Sequence, residues 1–473
     1  MNKPTSLQTF FRNALIVLTL LALILVPRPA AGYWDTWQAS RFEASGEYTA
    51  AAGSYALAAQ RLPWQPAWWE KSARAYLEAK EYSQAEHAYA LADRYHALSP
   101  DGYVGWGDCA FALGKAEFAL KLWNAQLNRA GDPSALLARL ARGYQALALF
   151  TNEMQTWKRY LSYQPGDASA HYRLGLLLAA SQPGQALPEL MLAARLDAGL
   201  DPSVESLRTA LNTATLSDDQ AYQLLLSGRA LGAMGHWDLA AEAFRNAIAA
   251  RADYAEAWAW LGEARQQQGQ DGSSEIERAL AFKPDSAMVE SLYSLFLERQ
   301  NQPKQALAAM QKAAALEPAD PGWQMALGEA YEQAGNLISA LQHYQQATEM
   351  TPGDATFWQA LAEFSLRNSV DLAGTGLPAA LKLVALAKDD WQSYDIEGQI
   401  LLETDDADAA ETALKKAAAL APAEAAPYLH LGILYMQTGD RAAALADLDV
   451  AKTLDPTGPA GWQANRLLEQ YFP

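Results

Sequence analysis

Residue types that carry out catalysis or hold metal ions are sparse in this chain. Its 473 residues include one cysteine and six widely separated histidines: His87, His96, His171, His236, His343 and His430. Metal sites place such ligands a few residues apart, as in His-Glu-x-x-His, and no such spacing occurs. Cys109 can form no disulfide within the chain, and its position beside Ala110 and Phe111 predicts a buried, unreactive thiol. The sequence therefore predicts no metal site and no cysteine nucleophile.

Carboxylates are a second source of chemistry, and the densest acidic run is Asp405-Asp406-Ala407-Asp408. This run lacks the glycine and the terminal glutamate of a calcium-binding loop. We expect a solvated turn whose negative charge lies at the start of the next helix, where the helix dipole favours it. The chain also lacks a Gly-x-Ser-x-Gly motif and a glycine-rich loop that ends in Lys-Ser or Lys-Thr. We therefore predict that the protein is not an enzyme and uses no cofactor.

The dominant feature of the sequence is internal repetition with a period of about 34 residues, the length of a helix-turn-helix unit. Gly228 and Gly262 are one such period apart, and so are Pro318 and Pro352. One unit reads Leu327-Gly328, Tyr331, Gly335, Ala340, Tyr344, Ala347 and Pro352, and the last unit repeats this order up to Pro456. A period of this length indicates helical hairpins, each of which buries its apolar side only against its neighbours. Alternating Val, Ile and Thr patterns typical of strands are nearly absent.

The recurring positions have physical reasons. We expect Gly328 where two antiparallel helices cross closely, opposite the small residue Ala340. Gly335 and Gly439 should end the first helix of a pair in a left-handed conformation. A proline such as Pro352 follows the second helix, because proline cannot continue it.

This pattern resembles the tetratricopeptide repeat family, and the resemblance covers residues 32 to 458. It implies an all-α fold, a right-handed superhelical solenoid of about twelve helix-turn-helix repeats with a C-terminal capping helix. The predicted segments are a signal peptide or signal anchor at 1–31, an array of about five repeats at 32–199, an inserted helix and turn at 200–220, an array of about seven repeats at 221–458, and the capping helix at 459–473.

The insertion is predicted where the period fails, since the interval from Gly175 to Gly228 exceeds one period by more than half. The excess, Asp201 to Gln220, predicts an extra helix at Ser203–Asn212 followed by a turn. It is either an inserted helix, which we favour, or a hinge between two arrays. A second irregularity, Asn368 to Leu377, predicts a longer turn inside one repeat.

The amino terminus predicts export. Lys3 and Arg12 precede an uncharged apolar run, Ala14 to Val26. As a helix this run would span about 20 Å, which is short of the ~30 Å hydrocarbon core of a bilayer. It fits a signal peptide cleaved after Ala31 or an uncleaved signal anchor. Because basic residues stay inside, both alternatives place the repeats on the outer face of the cytoplasmic membrane or release them outside the cell.

The net charge of −18 argues against a nucleic-acid partner, whose phosphates would be repelled. It suits either simple solubility or basic protein partners.

In tetratricopeptide arrays the first helix of each pair lines a concave groove, so the resemblance implies which residues contact a partner. The early repeats contribute Lys71, Arg74, Arg139, Arg142 and Arg173, and the later ones Arg229, Trp260, Glu263, Glu329, Glu332 and Glu363. The groove would change from basic to acidic along its length, which could orient an extended peptide or simply reflect a solvated face. A co-chaperone branch of the family uses asparagines in a peptide clamp, and those positions hold Arg142, Leu176, Arg229 and Glu263 here. The resemblance therefore does not support co-chaperone function.

These features predict a non-enzymatic scaffold, exported or membrane-anchored, that binds cell-envelope proteins or peptides in its groove. The alternative is a subunit that recognises a peptide or a glycan for a membrane-bound envelope enzyme complex. A third possibility is self-assembly of the array into an oligomer.

Overall fold

A computed structural model describes residues 14–16, 27–129 and 131–472. Throughout these residues the secondary structure is helical and contains no β-strand. The chain divides after Asn246 into two compact units, an amino-terminal unit and a carboxyl-terminal unit. In each unit successive helices pack as antiparallel pairs, and each pair packs against the next. The prediction of an all-α solenoid of helix-turn-helix units is therefore confirmed, while the number of repeats stays a prediction.

The helices of the amino-terminal unit are α1 Pro27–Ala44, α2 Tyr48–Arg61, α3 Ala67–Glu78, α4 Tyr82–Arg94, α5 Pro100–Ala112, α6 Ala116–Gln126, α7 Ser134–Ala146, α8 Phe150–Leu161, α9 Ala168–Ser181, α10 Pro183–Leu196, α11 Asp201–Thr215 and α12 Gln220–Ala233. Helix α13, Trp237–Ala250, contains the division. The carboxyl-terminal unit continues with α14 Ala255–Gln267, α15 Ser273–Phe282, α16 Ala287–Arg299, α17 Pro303–Leu316, α18 Pro321–Gln333, α19 Leu337–Met350, α20 Ala355–Asn368, α21 Leu377–Leu386, α22 Trp391–Glu403, α23 Ala407–Leu420, α24 Ala425–Thr438, α25 Arg441–Leu454 and α26 Pro459–Tyr471.

The recurring glycines Gly328 and Gly432 lie at helix crossings, as predicted, but their closest neighbours differ from the prediction. A Cβ atom at Gly328 would lie 3.2 Å from the ring of Tyr344, and one at Gly432 would lie 2.6 Å from Leu448. In both cases the neighbour is the large residue sixteen positions later. Ala340, which the sequence places opposite Gly328, is buried in the same core. The glycine is therefore small because a large side chain of the second helix packs directly on it.

The turns inside most pairs contain a residue with a left-handed backbone. Gly335 and Gly439 have φ of +77° and +86°, which confirms their predicted conformation. The same conformation occurs at residues other than glycine, namely Lys80 with φ of 60° and Ala148 with φ of 52°. The turn geometry thus repeats where the glycine is missing, and those positions carry backbone strain.

The insertion contains α11, which extends beyond the predicted helix at both ends. The helices on either side of it remain in direct contact, because the Ser227 hydroxyl donates to the Ala179 carbonyl at 2.6 Å. The Asn246 side-chain amide donates to the Ala180 carbonyl at 3.0 Å. The chain therefore continues its stack across α11 within the amino-terminal unit. The segment boundaries predicted around the insertion stay predictions.

The structure also describes the acidic run and the second irregularity of the repeat pattern. The acidic run at Asp405 is a turn in which Asp406 caps α23 by accepting a hydrogen bond from the Ala409 amide at 3.2 Å. The irregularity at 368–377 contains one turn of π-helix, Leu372–Gly376.

The two ends of the chain carry the predicted capping helix and the predicted signal segment. Helix α26 buries Ala464 and Leu468 against the last pair and leaves Arg466 and Glu469 exposed, so it caps the stack as predicted. At the amino terminus, most of the predicted signal segment lies outside the described residues. No helix among the residues that are described has the length and apolar character needed to cross a membrane.

Candidate functional site

Three of the basic residues predicted to line the groove form ion pairs within the amino-terminal unit. Arg74 binds Glu70 at 2.7 Å, one turn away on the same helix. The guanidinium of Arg139 donates to both carboxylate oxygens of Asp108, at 2.7 and 3.0 Å. Arg173 makes the same two-bond contact with Glu153, at 2.7 and 3.0 Å, and the Glu153 side chain is fully buried.

The remaining basic residues are more accessible. The Lys71 ammonium lies 4.9 Å from the centre of the Trp68 ring. Arg142 is exposed, and its Nε donates to the Ala138 carbonyl of its own helix at 3.3 Å. Arg229 is also exposed. Three of the six basic residues predicted for this face are therefore paired with carboxylates inside the chain, and partner binding by these residues stays a prediction.

In the carboxyl-terminal unit, ion pairs join neighbouring first helices. Arg299 on α16 donates to both carboxylate oxygens of Glu263 on α14, with the longer contact at 2.6 Å. Arg367 on α20 donates to Glu332 on α18 at 2.9 and 3.3 Å. Glu332 also accepts hydrogen bonds from Asn368 at 2.8 Å and Tyr344 at 3.1 Å. These contacts fix the spacing of successive first helices.

Three further carboxylates beside these pairs make no ion pair with another described residue: Glu298, Glu329 and Glu363. The Glu363 carboxylate accepts only the Gln359 amide, at 2.8 Å. Glu298 accepts the Gln333 amide nitrogen at 3.1 Å when that amide is oriented to satisfy both groups. The two nearby arginines are already paired, so this face keeps an excess of negative charge.

The protonation behaviour of these carboxylates differs with their contacts. Burial raises the pKa of Glu329 above its usual 4.5, and the charge of Glu332 adds to the shift, while Arg367 opposes it. Burial likewise raises the pKa of Glu298, where Arg299 opposes the shift and Glu329 adds to it. For Glu332 burial acts upward, but the hydrogen bonds from Arg367, Asn368 and Tyr344 outweigh it and lower the pKa. Glu298 and Glu329, which make no ion pair, therefore have raised pKa values, whereas the paired Glu332 has a lowered one.

Glu329, Glu332 and Glu363 line two neighbouring depressions. We call these depressions, together with Glu298, which lies beside Gln333 of the first, the acidic cleft. The first, about 540 Å³, is lined by Glu329, Glu332, Gln333, Arg367 and Asn368. The second, about 520 Å³, is lined by Glu363, Leu366, Arg367, Trp391, Gln392, Asp395, Ile396 and Gln399. Arg367 lines both, so the depressions adjoin at that side chain. The first is lined by polar side chains, whereas the second adds an apolar wall from Leu366, Trp391 and Ile396.

The structure thus brings together Glu329, Glu332 and Glu363 from the predicted set, and it places Glu263 nearby in a buried ion pair. Trp260 instead packs against the core formed by Val289 and Leu292. The sequence analysis missed Glu298 and Arg299, because the repeat that contains them has serine at the glycine position. They stand one period before Glu332 and Gln333, and this register is the signal that would have identified them.

Two of the six histidines pair with carboxylates. His171 contacts the Glu189 carboxylate at 2.6 Å, and His430 contacts the Asp395 carboxylate at 2.8 Å. Cys109 is buried, as predicted, and burial raises the pKa of its thiol to about 12. Across the described ranges, no three side chains of His, Cys, Asp or Glu converge as a metal site.

Known structures similar to the chain include yeast Tom70, with 14% identity, a TM-score of 0.41, and coverage of 93% of this chain and 95% of that one. PilF from Pseudomonas aeruginosa is 18% identical with a TM-score of 0.36, over 46% of this chain and 98% of that one. MamA from Desulfovibrio magneticus RS-1 is 21% identical with a TM-score of 0.32, over 36% and 96%. Among curated proteins, no sequence matches the chain.

A family model described as tetratricopeptide repeat matches three stretches of the chain, residues 225–287, 297–355 and 397–459. Glu329, Glu332 and Gln333 of the first depression lie in the second of these stretches, whereas nearly all residues of the second depression lie between the second and third. Helical pairs, a left-handed turn inside the pair and a glycine at the crossing all recur in the matched region. On this evidence, the three stretches 225–287, 297–355 and 397–459 are tetratricopeptide repeats.

Proposed function

We propose that the protein is a non-enzymatic scaffold that binds partner proteins, and that the acidic cleft takes a lysine- or arginine-bearing segment of the partner. The observation that carries this proposal is the set of three carboxylates, Glu298, Glu329 and Glu363, that no cation within the described chain neutralises. They lie on three successive first helices, so an extended segment crossing these helices passes each in turn.

The pKa shifts support a charged partner rather than a neutral one. Burial raises the pKa of Glu298 and Glu329, which means that their ionised forms are less well solvated than a free glutamate. A bound ammonium or guanidinium group relieves that cost and gains a charge-assisted hydrogen bond. Ligand binding at this position therefore removes an electrostatic penalty that the free protein carries.

The apolar wall supports a mixed recognition sequence. Trp391 is only partly buried and lies beside Leu366 and Ile396 in the second depression. An aromatic side chain of this kind gives a large contact area at low conformational cost. The partner segment therefore carries a basic residue for the first depression and an apolar residue for the second.

The location of the scaffold is part of the same proposal. Lys3 and Arg12 before the apolar run Ala14–Val26 support export, with the run either removed or kept as an anchor. Partners would then be cell-envelope proteins. A glycan ligand of a membrane enzyme complex finds no comparable support, because no observation on the cleft favours it.

Site-specific photocrosslinking in cells tests the proposal. A photoreactive phenylalanine analogue replaces Gln333 or Gln399, which line the two depressions, in the full chain. Gln305, exposed on the second helix α17, provides the control position. We expect basic partner peptides to be crosslinked from 333 and 399 and not from 305. Equal crosslinking from 305, or partner copurification without crosslinks from the cleft, would exclude the cleft as the binding surface.

A further inference from the structure

The first helical pair exposes an unusual group of aromatic residues, which we call the aromatic collar: Tyr33, Trp34, Trp37 and Trp64. Between 48% and 57% of each of these residues is exposed to solvent. The rings of Trp34 and Trp37 lie 4.8 Å apart, on one face of α1. The Arg41 guanidinium lies 4.9 Å from the Trp37 ring and extends the same face. Scattered exposed aromatics need no explanation, but a contiguous group does.

The collar surrounds the start of α1. A Cβ atom at Gly32 would lie 2.6 Å from Leu62, so the first turns of α1 abut the end of α2. The Gln65 amide, in the loop after α2, donates to the Tyr33 hydroxyl at 3.2 Å. Trp64 precedes Gln65 in that loop. Three of the four collar residues therefore lie at the end of the first pair where the chain enters α1.

Helix α1 does not share the acidic excess of the whole chain. It contains two carboxylates: Asp35 is buried against Arg61 at 2.6 Å, and Glu43, near the far end of the helix, accepts the Tyr55 hydroxyl at 2.7 Å. Arg28 and Arg41 are exposed on the same helix. In a chain of net charge −18, the entry to α1 thus presents Arg28 and the collar, and its one carboxylate, Asp35, is already paired.

The apolar run Ala14–Val26 leads directly into α1 at Pro27. The run is about 10 Å too short for the hydrocarbon core if it is helical. Tyr33 and Trp34 lie seven or eight residues beyond Val26, about 10–12 Å further along a helix at 1.5 Å per residue. An anchor formed by this run therefore holds the collar close to the membrane surface, where tyrosine and tryptophan are the preferred residues.

We propose that the aromatic collar lies in the lipid headgroup layer and fixes the first helical pair against the membrane. This inference rests on the proposed signal anchor. Ring faces contact the upper acyl chains, while the indole N–H groups and the Tyr33 hydroxyl meet headgroups. Arg28 and Arg41 bind lipid phosphates, which favours a surface containing anionic lipids. The first pair is thereby attached to the membrane rather than suspended on a free linker.

Environment-sensitive labels on the full chain test this placement. Trp34→Cys and Trp64→Cys variants carry a nitrobenzoxadiazole label, and Ile338→Cys and Leu216→Cys provide controls. Both control positions are exposed apolar residues far along the sequence, 76% and 88% exposed. The native Cys109 is fully buried and does not compete for the label. The chain is reconstituted into nanodiscs of phosphatidylcholine and phosphatidylglycerol, with and without a lipid spin-labelled near the headgroup.

We expect the labels at 34 and 64 to emit at shorter wavelength than the controls and to be quenched several-fold more by the spin-labelled lipid. Control-like emission at 34 and 64 in a chain that stays with the disc would overturn the inference and leave the anchor standing. A wavelength shift without lipid quenching would show that a second protein surface covers the collar, which also overturns it. A chain that leaves the disc, or whose mass lacks the segment 1–31, would remove both the anchor and the inference.

Discussion

At the scale of single residues, the repeat depends on a pairing between a glycine and a large side chain sixteen positions later. Tyr344 is 2% exposed and its ring packs on Gly328. The same ring contacts Phe364 of the next pair, with centroids 4.9 Å apart. One tyrosine therefore links the two helices of its own pair and the following pair. The sequence pattern predicted a small residue at 328 but not which partner requires it.

Substitution of Gly328 tests this packing. Gly328→Leu has no space beside Tyr344, and we expect a loss on the order of 1–3 kcal/mol in stability, seen as a lower melting temperature by circular dichroism. Gly353→Ala is the control, because a Cβ atom at that loop glycine would have no neighbour within 4 Å. Wild-type melting of Gly328→Leu would contradict the register of the repeat.

The left-handed turns give a second test at this scale. Ala148 has φ of 52°, a conformation that costs an alanine roughly 1–2 kcal/mol and a glycine little. Glycine loses more entropy on folding, so we expect Ala148→Gly to leave the melting temperature unchanged or to raise it. Ala90→Gly, at an exposed position inside α4, should instead lower stability by about 0.5–1 kcal/mol. Equal losses at both positions would contradict the assigned turn.

At the scale of helices, ion pairs between neighbours decide which charges remain for a partner. The pattern of the repeats predicted the paired helices and their turns, because it recurs at fixed positions in each unit. It could not predict pairing, since the partner of Arg173 lies on the preceding helix, outside the repeated positions. Arg74, Arg139 and Arg173 of the predicted basic groove therefore form ion pairs inside the chain. The later helices instead keep carboxylates that form no ion pair.

In the amino-terminal unit, charge reversal distinguishes an arginine that is paired inside the chain from one that is exposed. Arg173→Glu would place a carboxylate against the fully buried Glu153, and we expect a loss of roughly 3–5 kcal/mol. Arg142→Glu changes an exposed residue without a carboxylate partner and should cost less than ~1 kcal/mol. Thermal melts of the two variants check this order. Similar melting of both would show that the Arg173–Glu153 pair contributes nothing to folding.

At the scale of the whole molecule, the sequence predicted the fold more fully than the site. The fold follows from local rules that recur in every unit, so each repeat supports the interpretation of the next. The site depends on differences between repeats, such as Glu298 on a repeat with a serine in place of glycine. Those differences become interpretable only when the distances between Glu298, Glu329 and Arg367 are known.

The raised pKa of Glu298 and Glu329 predicts how binding depends on pH. Because the folded pKa is above the usual 4.5, these groups take up protons first as the solution is acidified. A cationic ligand binds their ionised forms, so we expect affinity to fall as the pH drops through the raised pKa values, above the usual 4.5, and binding to release protons there. Calorimetry with a crosslinked partner peptide, in buffers of different ionisation enthalpy, measures both effects. Proton uptake on binding would contradict the assignment.

The shifted pKa values of these glutamates also determine how the stability of the fold depends on pH. A group whose pKa is raised in the folded state stabilises that state at low pH, and this contribution disappears as the pH rises through the raised value. Glu329→Gln should therefore weaken the pH dependence of both binding and stability. Glu332, whose pKa is lowered, contributes in the opposite direction.

The central claim is that partners bind the unneutralised carboxylates of the acidic cleft, and one comparison of capture tests it most directly. The cleft variant Glu298→Gln/Glu329→Gln/Glu363→Gln is matched with Glu117→Gln/Glu277→Gln/Glu349→Gln, which removes the same charge from exposed positions outside the cleft. Both variants are purified from membranes after crosslinking, and the captured partners are quantified by mass spectrometry at low salt. We predict that the cleft variant loses its partners while the matched control retains them. Undiminished capture by the cleft variant, or equal loss in both, would contradict the claim.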